Sequence, residues 1–150
     1  MRSLDLFLYT ARKGDNVKSH VRNIVGQEST EVLDEVFEGV DCVIHIASSI
    51  DIRPIPSPLL ERVNVHGTKN VVAACQRTGV RALVYTSSIE VISGCDAAGK
   101  RQDSGIFAEA CPVAHKCILP YGSINAQAEG IVIGANKSSG LGDTPGDHNR

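Results

Sequence analysis

No apolar run in this 150-residue chain is longer than a handful of residues. That is far short of the roughly 20 needed to cross a bilayer as a helix. The stretch after Met1, Arg2 and Ser3 is also too short an apolar region for a signal peptide. Charge of one sign is scarce as well. Fifteen Lys and Arg against 17 Asp and Glu leave a net charge of −2, so there is no electrostatic footprint for nucleic acid or an anionic membrane surface. The five cysteines (Cys42, Cys75, Cys95, Cys111 and Cys117) are odd in number and include no C-x-x-C pair, which argues against a disulfide framework. Cys111, His115 and Cys117 have no second pair with ligand spacing to complete a zinc set, and no metal site is expected. Cys42 and Cys75 lie within apolar runs and read as small core residues. No internal repeat is evident. These absences lead to the expectation of a protein made and kept in a reducing compartment, cytoplasmic as written.

What is present is ordinary for a globular domain: 42% hydrophobic and 21% charged residues, in a chain long enough for one real core. The domain is expected over residues 1–136. Residues 137–150, KSSGLGDTPGDHNR, form a polar, Gly-rich tail expected to be disordered.

Along the chain, residues 4–8 suit a strand, residues 11–18 a loop and residues 21–25 a second strand closed by Gly26. Val32, Leu33, Val36 and Phe37 have helical spacing, with Ser29 or Thr30 to cap the start and Gly39 to end the helix. Residues 42–46, CVIHI, read as a buried strand. Pro54, Pro56 and Pro58 make residues 50–58 a loop. From about residue 59 to 78, Leu60, Val63, Gly67, Val71 and Ala74 or Cys75 share one helical face, and Gly79 supplies the stop. Gly67 in mid-helix suggests a close approach of helix and sheet. Ala82-Leu83-Val84-Tyr85 reads as another buried strand, residues 93–119 as irregular, and residues 123–135 as a final helix. Strands alternating with helices in this order are the signature of a parallel α/β sheet.

The strand at residues 82–85 ends in three hydroxyls, Thr86, Ser87 and Ser88. In an open parallel sheet, ligands sit beyond the carboxyl ends of the strands, so a site belongs there. Ser and Thr at a strand end are also common turn formers. His45, inside its apolar run, reads as a satisfied core histidine and not as a catalyst.

The segment VNVHGTKNVVAACQRTGVRALVYTSSIEV, residues 63–91, resembles the heart of an extended short-chain dehydrogenase/reductase. The closest likeness is the 3β-hydroxysteroid dehydrogenase/isomerase family, with its NVxGTxN, YTSSxEV and YxxxK motifs. CVIHIAS, residues 42–48, matches the preceding strand, and Tyr121 falls where the family's catalytic tyrosine belongs. The likeness covers nearly all of residues 4–135. It implies a partial Rossmann-like, doubly wound parallel α/β sheet with the first strand missing.

The resemblance also implies chemistry. Ser88 would hydrogen-bond the substrate oxygen while Tyr121 moves the proton, and NAD, in preference to NADP, would move the hydride. Asp5 matches the acidic residue that takes the adenosine ribose hydroxyls, although a solvated strand-end carboxylate reads equally well. Ala47 and Ser48 match the cofactor-side turn, Thr86 and Ser87 lie at the cofactor end of the strand, and Asn64 matches an asparagine that buttresses the site. Gln27 stands where relatives carry an aspartate. Asn125, four residues after Tyr121, replaces the family lysine: it can hydrogen-bond a ribose hydroxyl but cannot stabilise a phenolate by charge. The sequence also contains no G-x-x-G-x-x-G loop, the segment whose helix N-terminus would bind the pyrophosphate. In strand order 3-2-1-4-5 the strand belonging to that loop would lie between residues 4–8 and 42–46, leaving a vacant slot. The chain therefore resembles an internal piece of a dehydrogenase, with an impaired activity. Its implied partners are a small molecule of steroid type and a second copy in a dimer, and a full-length form would be able to associate with the endoplasmic reticulum membrane. A non-catalytic binding or regulatory relative, and a nucleotide-sugar epimerase or reductase of the same superfamily, are the alternatives.

Overall fold

The structure, a computed structural model, describes residues 6–10, 18–22, 24–26, 29–100 and 116–139. Strands β1 (Leu6–Thr10) and β2 (Lys18–Arg22) pair antiparallel, with Leu6 opposite Arg22 and Thr10 opposite Lys18. Both strands are displaced from the expected 4–8 and 21–25, and Ile24 and Val25 lie in a bend after β2. The expected run of parallel strands therefore does not extend to this pair. Residues 5, 11–17 and 27 lie outside the described set, and the readings of Asp5, Gln27 and the loop at 11–17 with them.

Helix α1 (Ser29–Phe37) forms for the reason its spacing suggests. Leu33, Val36 and Phe37 fall on one face and are buried with Val40. Gly39 ends the turn at φ 67°, a left-handed conformation that side chains with a Cβ rarely adopt. Strand β3 (Cys42–His45) then runs parallel to β4 (Ala82–Tyr85), with Val43 opposite Leu83 and His45 opposite Tyr85. Each had read as a buried strand, but only one face of the pair is covered. Val43 and His45 are buried, whereas Ile44 is 63% and Val84 50% exposed on the opposite face. Cys42 points to that open face too and is exposed, a correction to its reading as a core residue. The apolar runs are continuous, but the described residues supply helices to one side only.

The long helical pattern over residues 59–78 is realised in three continuous parts: α2 (Pro58–Glu61), a π-helical turn (Arg62–Gly67) and α3 (Thr68–Thr78). Ser57 caps the start, its hydroxyl accepting from the Leu59 N–H, with Pro58 at the first helical position. The apolar spacing does not display the π turn, which buries three consecutive residues, Val63, Asn64 and Val65, one of them polar. Leu60, Val63, Val71, Ala74 and Cys75 are all buried as the pattern requires. A Cβ on Gly67 would lie 2.6 Å from Ile24 Cδ1, so the close approach is to the bend after β2 and not to a sheet strand. α1 and α3 enclose the main core with Ile24, Val43 and Val80, and Arg77 ties the two helices at the surface through Asp34, 2.7 Å away.

After β4 come a 3-10 turn (Ile89–Val91), a short antiparallel pair β5 (Gly94–Cys95) and β6 (Lys116–Cys117), and α4 (Pro120–Ser139). The pair β5–β6 brackets the segment that had read as irregular. α4 starts earlier than expected and takes in Tyr121. It also extends through Ser139, so residues 137–139 are helical, contrary to the expected start of the tail. Among the described residues the strands form three separate two-stranded pairs, and no strand pairs with the edge of β3 opposite β4. α/β architecture with a parallel central pair and α3 packed on it is that of a partial Rossmann fold.

Candidate functional site

The site lies beyond the carboxyl ends of β3 and β4. The Thr86 N–H donates to the His45 carbonyl (3.1 Å), extending the ladder one step past the strands before the chains diverge. Ser88 is extended at φ −130° and caps the 3-10 turn, its Oγ accepting from the Glu90 N–H at 3.3 Å. Capping uses a lone pair and leaves the Ser88 O–H proton free to donate.

Tyr121 reaches this turn through its neighbour. A Cβ on Gly122 would lie 2.5 Å from the Glu90 carbonyl oxygen and 3.0 Å from Cys117 Cβ. Only glycine lets α4 begin in direct contact with the backbone two residues past Ser88. The turn bearing Ser88 and the helix bearing Tyr121 are thereby held against each other. Tyr121 is 8% exposed.

Asn64, on the π turn, is held by the loop after β3. The Ser49 N–H donates to Asn64 Oδ1 (2.8 Å), and Asn64 Nδ2 donates to the Ser49 carbonyl (3.0 Å). This reciprocal pair fixes which amide atom is oxygen and which nitrogen. Asn64 Nδ2 then gives its second hydrogen to Asn125 Oδ1 (3.2 Å), and Asn125 Nδ2 donates to the Tyr121 carbonyl (2.9 Å). Asn64 and Asn125 are 2% and 3% exposed. Asn64 thus bridges the loop after β3 to α4.

Ser87 Oγ donates to Glu129 Oε2 at 2.6 Å, a charge-assisted bond. Glu129 was not singled out from the sequence, yet it falls at i+8 from Tyr121, on the face shared by Tyr121 and Asn125. Ala47 is half-buried; Ser48 is exposed, its hydroxyl donating to the Ser49 carbonyl (3.2 Å), and Thr86 is exposed. Behind the site, His45 Nε2 and Thr68 Oγ1 are 2.9 Å apart, both buried. Thr68 also hydrogen-bonds the Tyr85 phenol, whose ring lies 5.4 Å from that of His45. His45 is thus the satisfied core histidine expected, and burial lowers its pKa to about 4. Burial raises the Tyr85 pKa, reinforced by the nearby Glu129 and Tyr121. Thr68 is four residues from Asn64, a spacing that was the available signal for its role.

The structure thus joins Ser49, Asn64, Asn125 and the Tyr121 backbone into one network, and sets Ser88 beside α4. Ser48 joins that network through the Ser49 carbonyl, and Thr86 is exposed just past the end of β4. Among the described residues no three His, Cys, Asp or Glu side chains are grouped as metal ligands, and no helix is long and apolar enough to cross a membrane. A groove of about 370 Å³ between α3, α4 and the start of β4, lined by Cys75, Leu83 and Ile133, lies at the other end of the strands.

Solved structures share this fold. The dTDP-glucose 4,6-dehydratase of Streptomyces venezuelae, crystallised with NAD, superposes with a TM-score of 0.65 at 23% identity, covering 80% of this chain and 34% of that one. The UDP-glucose 4-epimerase of Thermus thermophilus, in complex with NAD, gives 0.60 at 25% identity, covering 80% and 37%. Human 3 beta-hydroxysteroid dehydrogenase type 7 is 36% identical over 137 residues, 91% of this chain and 33% of the relative. The sterol-4-alpha-carboxylate 3-dehydrogenase (decarboxylating) of Candida albicans is 36% identical over 101 residues, 67% of this chain and 27% of the relative. The chain spans about a third of the length of such curated relatives. The model of the 3-beta hydroxysteroid dehydrogenase/isomerase family matches residues 1–143, and the chain belongs to that family.

Proposed function

We propose that this chain carries the substrate-side half of the site of an NAD-dependent oxidoreductase acting on the 3β-hydroxyl of a steroid or sterol. The observation that carries this reading is the contact of Gly122 with the Glu90 carbonyl, which packs the helix of Tyr121 onto the turn of Ser88. In this reading the free O–H of Ser88 donates to the substrate oxygen and orients it. The Tyr121 phenol gives or takes the hydroxyl proton as general acid/base. Bound NAD would supply the hydride acceptor, chemistry that no side chain provides.

The residues fit one end of that cofactor. Ala47, Ser48 and Thr86 follow the carboxyl ends of β3 and β4, with Ser48 and Thr86 exposed, whereas the sequence has no glycine-rich loop for the pyrophosphate. Asp5, read as the ribose ligand, belongs to the same proposal. The position four after Tyr121 carries no cation, and a tuned general acid/base contributes about 10²–10⁴-fold in rate. Weak NAD binding and slow turnover are therefore expected of residues 1–150. Titration calorimetry with NAD, followed by NADH formation from a 3β-hydroxysteroid with Ser88→Ala and Tyr121→Phe as controls, tests the reading. Turnover that survives both substitutions would overturn it.

A second reading is a non-catalytic binding relative on the same fold, or one acting on a nucleotide sugar like the solved neighbours. The inward-turned amide of Asn125 favours the former. Dinucleotide binding without hydride transfer to any of these substrates would support it.

A further inference from the structure

Asn125 stands where the family places a cation that holds the cofactor ribose, and the simplest expectation is that its amide binds the ribose instead. The hydrogen-bond chain argues otherwise. Both polar atoms of the Asn125 amide face protein: Oδ1 accepts from Asn64 and Nδ2 donates to the Tyr121 carbonyl. The direction of every bond follows from the Ser49 peptide, which offers an N–H to one Asn64 atom and a carbonyl to the other. Asn64 then has one hydrogen left, which needs an acceptor. The side chain is almost fully buried, and Asn125 Oδ1 supplies that acceptor. A lysine at this position would present another donor to a donor.

We propose that Asn125 is a positioning residue, not a cofactor ligand: with Asn64 it forms a neutral amide relay that locks the first turn of α4, and so Tyr121, to the loop after β3. This deepens the reading of the site proposed above and rests on it only for the role of Tyr121. The relay joins the Ser49 peptide, the π turn and the Tyr121 carbonyl. It also accounts for the π turn, which puts Asn64 opposite Ser49 while Thr68, four residues on, still faces His45. The site thus exchanges an ionic contact with the ligand for an internal tether.

Hydrogen exchange followed by NMR on the 150-residue chain tests this, with Asn125→Asp and Asn125→Lys. The aspartate keeps the acceptor toward Asn64, and the lysine does not. Ser49 N–H exchange is expected to stay near wild type in Asn125→Asp and to accelerate about tenfold in Asn125→Lys, the loss of one net hydrogen bond. Amides of Val71 and Val72 should stay unchanged in both. Equal acceleration in the two variants, or none in Asn125→Lys, overturns the proposal. Should Asn125→Lys fail to fold, Asn125→Asp against the wild type decides: a Ser49 amide as fast as its exposed neighbours in the aspartate variant is the overturning result. Adding NAD separates the two readings. If Asn125→Asp loses NAD affinity while Ser49 keeps its protection, Asn125 is a ligand and the relay is wrong although the functional reading stands. If no form binds NAD, the exchange result still decides the relay.

Discussion

Acidification should unfold this protein through His45 before any carboxylate takes part. The imidazole is 2% exposed, held by Thr68 at 2.9 Å, and burial lowers its pKa from 6.5 to about 4. The folded state therefore favours the neutral ring, while the unfolded chain takes up a proton as pH falls through 6.5. Between those values the unfolded state binds more protons, so stability declines with falling pH. A shift of about 2.5 units corresponds to roughly 3 kcal/mol, at 1.36 kcal/mol per unit. That stability is present above pH 6.5 and has been lost by about pH 4. Set against a typical total of about 5–15 kcal/mol, the step is a large fraction of what holds the fold. Asp34 is held below its ordinary 3.8 by Arg77 and Asp51 by Arg53, so their contributions fail only at lower pH and leave the window clear. Urea unfolding followed by circular dichroism at half-unit steps from pH 7.5 to 4 measures the effect, with His45→Gln as the non-titrating control. The wild type should lose about a fifth to three-fifths of its midpoint across that range, and the variant should lose little. Parallel decline of the two would refute the reasoning, because the titrating group would then lie elsewhere.

Gly122→Ala drives a Cβ to 2.5 Å from the Glu90 carbonyl oxygen, a rigid neighbour, and should cost about 1–3 kcal/mol as overpacking does. Gly130→Ala on the same helix meets nothing within 4 Å and should stabilise by about 0.5–1 kcal/mol, so thermal melts of the two should move in opposite directions. Ile44→Thr with Val84→Thr replaces side chains that are 63% and 50% exposed, and should raise solubility while moving stability by no more than about 0.5 kcal/mol per site, read from sedimentation and melting. In hydrogen exchange the β3–β4 ladder, backed by α3, should outlast β1–β2, whose antiparallel pair stands alone among the described residues. Equal protection of both would mean the two pairs unfold as one sheet.

Local pattern determined much of this protein. The apolar spacing of Leu33, Val36 and Phe37 requires a helix with that face inward, Gly39 and Gly79 stop their helices at positive φ, and residues 82–85 have no better use than a strand. These follow from interactions within a few residues, which a linear sequence displays. The motifs around Ser88 and Tyr121 single out both positions as candidates, and the structure packs the turn of the one against the helix of the other. Tertiary structure alone decided the rest. Which face of β3 is covered depends on where α1 and α3 pack, and the alternation of Cys42, Val43, Ile44 and His45 as apolar neighbours carries no sign of it. The Ser49 peptide meets Asn64 of the π turn across 15 residues of chain, a contact that no local pattern displays. The fate of Asn125 depends on a contact 61 residues away, at an amide whose chemistry suits a ligand and a tether equally. An amide side chain states in the sequence only that it can donate and accept; which partner it satisfies is settled by burial, because once water is excluded every donor must find an acceptor nearby.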